Sequence, residues 1–409
     1  VSEGPVTDYD PFVAPHRDDP FPALAKARRD APVVWCAAES GWMVTRYADC
    51  VGVLTDPGTF SSTDLFRRPR GLCAEAQAIL DHGYTFEEIR PLTAAAPPEH
   101  TRLRGLLAAA FTPRRVAALE LPIRSRAHAL VDGFAGDGQA DLVGRFASPL
   151  PLVTIVELLG LPAADVAVLK RWSDDRIALY WADLSAEAQV TCARSLLDLQ
   201  SYLRAAIEAR RRRPVDDFIS DLIAAADDDG SVPVPKLVGQ LMVLVAAGHE
   251  TTTSLIANGV VLLLTHRAQW EGLCADPARL APPAVEEILR LDGPAKGFLR
   301  TATVDRRLAG VDIQAGDRVR VMMTSANRDD AAFAEPNRFD IFRRERRSHL
   351  GFGHGIHFCA GAALARLHGR VALEVLSTRL PSLRLEPDHH LRYEPNANLR
   401  ILAQLPVEW

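Results

Sequence analysis

The sequence predicts a mainly α-helical protein with minor β-sheet, folded as one large domain over residues 1–409. Three observations carry that reading. Apolar residues recur at helical spacing through most of the chain. Strand-like runs are short, at Val33–Cys36, Trp42–Thr45, Leu299–Thr303 and Arg318–Met322. No internal repeat and no Gly/Ser-rich or Pro-rich linker divides the chain.

Taken in order, Phe21–Asp30 has helical spacing, and Val33–Cys36 with Trp42–Thr45 make a small sheet. Tyr47–Thr55 returns to helix, so a small β-rich part is expected at about 31–60. Residues 61–97 read as a long irregular stretch broken by Pro69, Gly71, Gly83, Pro91 and Pro97, with a short helix at Cys73–His82. A loop of that length inside a compact protein is usually functional. The helical part, about 98–409, opens at Pro98, where a missing N–H costs nothing. Arg114–Gly136, Phe146–Leu159, Ala163–Trp181, Ser185–Arg213 and Asp216–Ala226 continue the helical pattern. Val234–Thr265 is expected as one helix, about 45–50 Å long at 1.5 Å per residue. Pro283–Leu291 is a short helix, Gly310 and Gly316 mark a turn region, and Ala360–Leu380 is the last long helix.

Composition excludes several classes. With 48% hydrophobic and 24% charged residues, the chain is globular and not disordered. A net charge of -5 gives no electrostatic case for nucleic acid or an acidic membrane. The six cysteines are scattered without a C-x-x-C pair, which argues against a zinc site and fits a reducing compartment. The start, VSEGPVTDYDPF, has no secretory pattern, and the apolar run Leu237–Thr265 is broken by Gly248, His249 and Glu250. A cytoplasmic protein without a membrane span, and a monomer, is expected. Only Lys26, Lys170, Lys236 and Lys296 are lysines, a bias that fits a high-GC bacterium.

The sharpest signal is Phe352-Gly353-His354-Gly355-Ile356-His357-Phe358-Cys359-Ala360-Gly361, just before a long helix. Glycines permit close approaches and conformations closed to other residues. A Cys at a helix N-terminus meets unpaired N–H groups and the positive end of the dipole, which favours the thiolate. A second signal is Ala247-Gly248-His249-Glu250-Thr251-Thr252. A helical Thr often bonds only to its own helix, but a carboxylate in an apolar helix marks a site. A third is Glu287-Ile288-Leu289-Arg290, whose ends share one helix face.

The decapeptide resembles the haem-ligand loop of the cytochrome P450 superfamily, F-G-x-G-x-H-x-C-x-G, at every fixed position. The resemblance implies the P450 fold around a haem b, with Cys359 as the thiolate ligand of the iron. It places Phe352 and Gly353 in the loop against the haem and His357 on a propionate. The Glu250–Thr251 string is similar to the family's oxygen-activation motif, with Thr251 the alcohol and Glu250 the acid of a proton relay. Glu287 and Arg290 resemble a buried structural pair, completed by Arg338 from Pro336-Asn337-Arg338-Phe339. His100 and Arg104, four apart on one helix face, resemble residues that bind one propionate, and Arg300 the residue that binds the other.

By the same resemblance, substrate contacts fall at Leu92 and Thr93, around Ala163–Ser185, at Val243, Ala246 and Ala247, at Ala295 and Phe298, and at Asn396 and Asn398. The two asparagines could hydrogen-bond a polar substrate or simply cap a turn, which is the commoner role. Lys296 is expected to face solvent. The activity implied is a haem-thiolate monooxygenase that hydroxylates or epoxidises a hydrophobic small molecule in secondary metabolism. Electrons come from NAD(P)H through a ferredoxin reductase and a ferredoxin, for which the basic run Arg343–Arg347 is a candidate dock or a solvated loop. Oxidative coupling of aromatic substrates, and a non-catalytic haem-thiolate ligand-binding protein, are the competing readings. An intact Glu250–Thr251 pair argues against the second, because a sensor needs no proton relay.

Overall fold

The computed structural model describes residues 4–68, 71–228, 230, 232–343, 348–387 and 389–409. The chain divides into two compact units. One comprises Val1–Leu65, Glu120–Leu150 and Thr251–Trp409, and the other Phe66–Leu119 and Pro151–Glu250.

The first unit holds a six-stranded sheet in the order Val6–Thr7, Val33–Cys36, Gly41–Val44, Arg318–Val321, Phe298–Ala302, Phe60–Ser61. Strand Gly41–Val44 is buried throughout. Its register on Arg318–Val321, which pairs in turn with Phe298–Ala302, sets Arg300 opposite Val319. The helices Pro277–Asp292 and Glu120–Asp132 both pack on the C-terminal helix Ala362–Arg379. The turn region foreseen near Gly310 is a hairpin, Arg306–Leu308 with Val311–Ile313. Ala309 and Gly310 both take positive φ, the backbone a tight two-residue turn needs.

The second unit is helical. Val166–Trp181 packs on Ala186–Arg212, whose start is capped by the Ser185 hydroxyl accepting from the Ala188 N–H. Its last turn carries Arg210, Arg211 and Arg212, favourable at the negative end of the helix dipole.

Two expected helices differ. Arg114–Gly136 is broken into Pro113–Ala118 and Glu120–Asp132. Pro122 explains the break, since its ring clashes with the carbonyl four residues back, at Ala118. The short helix at Pro283 begins earlier, at Pro277, with the Asp276 side chain accepting from the Arg279 N–H. Val234–Thr265 is one continuous helix as expected, and the division between the units falls within it, after Glu250. Among the described residues, no helix is long and apolar enough to cross a membrane.

Candidate active site

In the first unit, the Gly-rich loop folds back on itself before the C-terminal helix. The Gly353 N–H donates to the Leu350 carbonyl at 2.8 Å, and the Cys359 N–H to the Phe352 carbonyl at 2.9 Å. Gly353 and Gly355 both sit at positive φ, and a Cβ on Gly355 would lie 2.3 Å from the Leu54 carbonyl oxygen. Only glycine satisfies both demands there. The loop thus presents Cys359, partly exposed and in no disulfide, just ahead of the helix that begins at Ala362. The Phe352 ring is buried under the Arg366 guanidinium, 4.5 Å from its centroid. Arg366 is fixed by both Glu286 oxygens, at 2.7 and 3.0 Å. Burial would raise the Glu286 pKa, but His349 and Arg366 hold it down at about 2.

His357 Nε2 lies 2.9 Å from the Ser62 hydroxyl. Arg300 is 5% exposed, and its one hydrogen bond is to the Leu299 carbonyl at 2.8 Å. Burial alone pulls its pKa down to about 10. No described carboxylate answers this charge, which is costly in an interior.

Glu287 and Arg290 form the buried pair expected, with both nitrogen–oxygen distances 2.8 Å. The third member differs. Arg338 reaches the pair only through its backbone carbonyl, which accepts from Arg290 Nη2 at 3.1 Å. Its side chain is more than half exposed and pairs with Glu335. Arg343 takes the place assigned to it, donating from Nε to Glu287 Oε1 at 3.2 Å. The pattern of Phe339 and Ile341, both buried, continues two residues on to Arg343, and that alternation was the legible signal. Arg343 therefore turns inward and leaves the basic run, whose remainder, 344–347, lies outside the described residues.

In the second unit, His100 is buried and Arg104 half-buried on one face of the helix Glu99–Ala110. Glu250 is 7% exposed. His249 beside it is fully buried, and burial drives its pKa down to about 3, so it is neutral. Their companion was not legible in the sequence. Asp174, on the helix Val166–Trp181, brings a carboxylate oxygen within 4.8 Å of ligand atoms of both His249 and Glu250. Burial raises the Asp174 pKa against the pull of Lys170, which it meets at 2.6 Å. Along the helix Val234–Thr265, Val243, Ala247 and Thr251 recur every fourth residue and form a less buried stripe on a largely buried element.

The cytochrome P450 sequence family matches residues 279–403. The cytochrome P450 monooxygenase PikC of Streptomyces venezuelae is 39% identical over 99% of this chain and 94% of its own. The chain belongs to the cytochrome P450 family. The mycinamicin IV hydroxylase/epoxidase of Micromonospora griseorubida is 40% identical over 91% of this chain and 90% of its own. The solved structure of cytochrome P450 CREJ in complex with (4-ethylphenyl) dihydrogen phosphate superposes with a TM-score of 0.92 at 36% identity, over 98% and 99% of the two chains. The protein is therefore a haem monooxygenase of secondary metabolism, with the P450 fold expected, and it draws electrons from redox partners.

The residues present fit a P450 haem. Arg300 is a buried cation short of an anion, as a propionate requires, and Cys359 is a thiol held at the mouth of a closed loop. The expected substrate contacts divide. Leu92 is buried in a short turn, its N–H on Gln240 Oε1 at 2.9 Å, and Thr93 has a buried hydroxyl with no partner. Ala246 and Ala295 are buried, and Phe298 is half-buried. Asn396 and Asn398 are corrected. Asn396 Oδ1 accepts from the N–H groups of Asn398 and Leu399 at 2.9 and 2.8 Å, which is a turn cap, and Asn398 Oδ1 accepts from Arg320. Lys296 is corrected too, being 1% exposed. Its N–H is bound to the Asn398 carbonyl at 2.7 Å and its carbonyl to the Thr324 N–H at 3.1 Å, which pins it inside. Burial, then Arg400, push its pKa down to about 7, opposed by Glu39.

Proposed function

We propose that Cys359 is the thiolate ligand of the haem iron and that the chain hydroxylates or epoxidises a hydrophobic natural product. The observation that carries this reading is the closed loop that presents Cys359 just ahead of a long helix. The helix dipole favours the thiolate. When bound, the haem supplies the binding and activation of dioxygen. Arg300, His357, His100 and Arg104 are the residues that would hold its propionates. Phe352 and Gly353 shape the loop around the sulfur.

Glu250 and Thr251 move the protons the reaction consumes. Asp174 and Lys170 extend the route outward: Asp174 lies near Glu250, and both side chains of the Lys170–Asp174 pair are about 40% exposed. Neutral His249 excludes water from the inner end without adding charge. Electrons pass from NAD(P)H through a ferredoxin reductase and a ferredoxin, in the cytoplasm. The hydroxylase and epoxidase names of the relatives support the outcome proposed.

The test is the reduced protein under carbon monoxide. Thiolate ligation predicts the strongly red-shifted Soret band, and Cys359→His should replace it with a histidine-type band and abolish product. A histidine-type band in the folded wild type refutes the assignment.

A further inference from the structure

Six arginines are buried among the described residues: Arg28, Arg176, Arg290, Arg300, Arg320 and Arg400. Four are answered within the chain. Arg28 donates to the Ser325 carbonyl and hydroxyl at 3.0 and 2.9 Å. Arg290 pairs with Glu287, Arg320 with Glu39 at 2.6 Å, and Arg400 with Asp292 at 2.6 Å. Arg300 has the propionate role. Arg176, on the helix Val166–Trp181, is 5% exposed and donates to no described residue.

Its surroundings are aromatic. The guanidinium carbon stands 5.0 Å from the centroid of Phe66 and 5.5 Å from that of Tyr180. Trp181 stacks on the same Phe66 ring at 5.6 Å and 14°. These rings offer the guanidinium their π faces but no acceptor oxygen, so its N–H groups have no described acceptor. Neighbouring groups are also short of acceptors. Trp172 Nε1, Trp181 Nε1 and Ser173 Oγ are buried with no partner among the described residues, and an indole N–H can only donate. A second guanidinium, Arg68, binds the Leu179 carbonyl and acts on Tyr180 together with Arg176. Burial lowers the Arg176 pKa, and no carboxylate acts against it.

A segment rich in buried donors and lacking acceptors is matched by an acceptor-rich anion. We propose that Arg176 recognises an acidic group, a carboxylate or a phosphate monoester, on the otherwise apolar substrate. The proposal rests on the monooxygenase reading above, because that reading makes Ala163–Ser185 a substrate-contact segment. The aromatic rings receive the apolar body of the substrate, and the guanidinium edge takes two oxygens in a charge-assisted fork.

The test uses the haem-loaded protein at pH 7.5 with three matched probes: 4-butylbenzoate, 4-butylphenyl phosphate and neutral 4-butylbenzamide. Affinity is read by the Soret shift and by calorimetry, so that binding which does not perturb the iron is still counted. The wild type should bind at least one anion about 10–100-fold more tightly than the amide. Which anion wins separates the carboxylate from the phosphate. In Arg176→Gln that ratio should collapse towards one. Arg176→Met, which leaves no polar group to bury, serves if the Gln variant does not fold. No anion preference in the wild type, or a preference that survives loss of Arg176, overturns the proposal. The carbon monoxide spectrum is recorded on the same samples, so a failed haem assignment is seen separately.

Discussion

Arg343 Nε stands 3.2 Å from Glu287 Oε1, on the carboxylate that Arg290 already grips through two nitrogens. The same oxygen accepts the Asp340 N–H at 3.0 Å. Arg343 also donates to the Ala334, Glu335 and Arg338 carbonyls, which ties the segment after the helix Pro277–Asp292 to that helix.

Arg343→Ala should therefore cost about 3 kcal/mol, the range for removing one partner of a buried charge pair. Arg338→Ala should cost less than about 1 kcal/mol, because its pair with Glu335 is exposed. Denaturant unfolding and the yield of haem-loaded protein check both. Equal losses in the two variants contradict the assignment.

The difference between these two arginines shows what a sequence exposes. The loop around Cys359 was legible because its glycines obey local backbone constraints, such as the positive φ of Gly353 and Gly355. Residues that act through distant partners were not. Lys296 and Asn398 are tied by a backbone bond across about a hundred positions of sequence, and Arg320 reaches Asn398 across 78. Asp174 stands four residues after Lys170, an ordinary helix pairing, and gains its meaning only from Glu250 nearby. The helix break at Pro122 was readable in principle, since the proline stands in the sequence, but periodicity masked it.

Two buried histidines make stability fall with acid. His368 is 1% exposed and burial pushes its pKa down to about 4, while His249 falls to about 3. The unfolded chain protonates both near pH 6.5, and the folded chain does not. The unfolded state thus binds more protons between these values. The stabilisation is present above pH 6.5 and is lost as pH falls, by about 1.4 kcal/mol per unit for each histidine. Unfolding measured from pH 6.5 to 4.5 should show a shallower slope in His368→Gln than in wild type. Parallel slopes would falsify the neutral-histidine reading.

Arg300→Gln should move the two forms of the protein in opposite directions. The apoprotein loses a buried charge that only the Leu299 carbonyl answers, so it should become more stable. On the proposed propionate role, the haem-loaded protein would lose a charge-assisted bond. Haem transfer to an apo-globin acceptor should run about 10–100-fold faster, the equivalent of about 1.5–3 kcal/mol. Apoprotein destabilised by the change, with haem loss unaltered, would assign Arg300 to the fold alone.

On the proposed proton-relay role, Thr251 is the position at which to separate proton delivery from electron flow. It follows buried Glu250 in the helix Val234–Thr265 and lies on the less buried stripe with Val243 and Ala247. Monooxygenation consumes two electrons and two protons per dioxygen, placing one oxygen atom in product and one in water. The same electrons and protons yield hydrogen peroxide when the oxygen–oxygen bond is not cleaved. Positioned proton transfer contributes about 10²–10⁴-fold to a rate. Thr251→Ala should therefore cut product steeply while reductant consumption through the redox partners falls much less, with peroxide making up the difference. Glu250→Gln should instead slow consumption and product together, since it removes the carboxyl that feeds the relay from Asp174. If Thr251 only bends its helix by bonding back along the backbone, the ratio of product to reductant stays near wild type. That ratio, measured at equal haem content, separates a proton-positioning hydroxyl from a structural one.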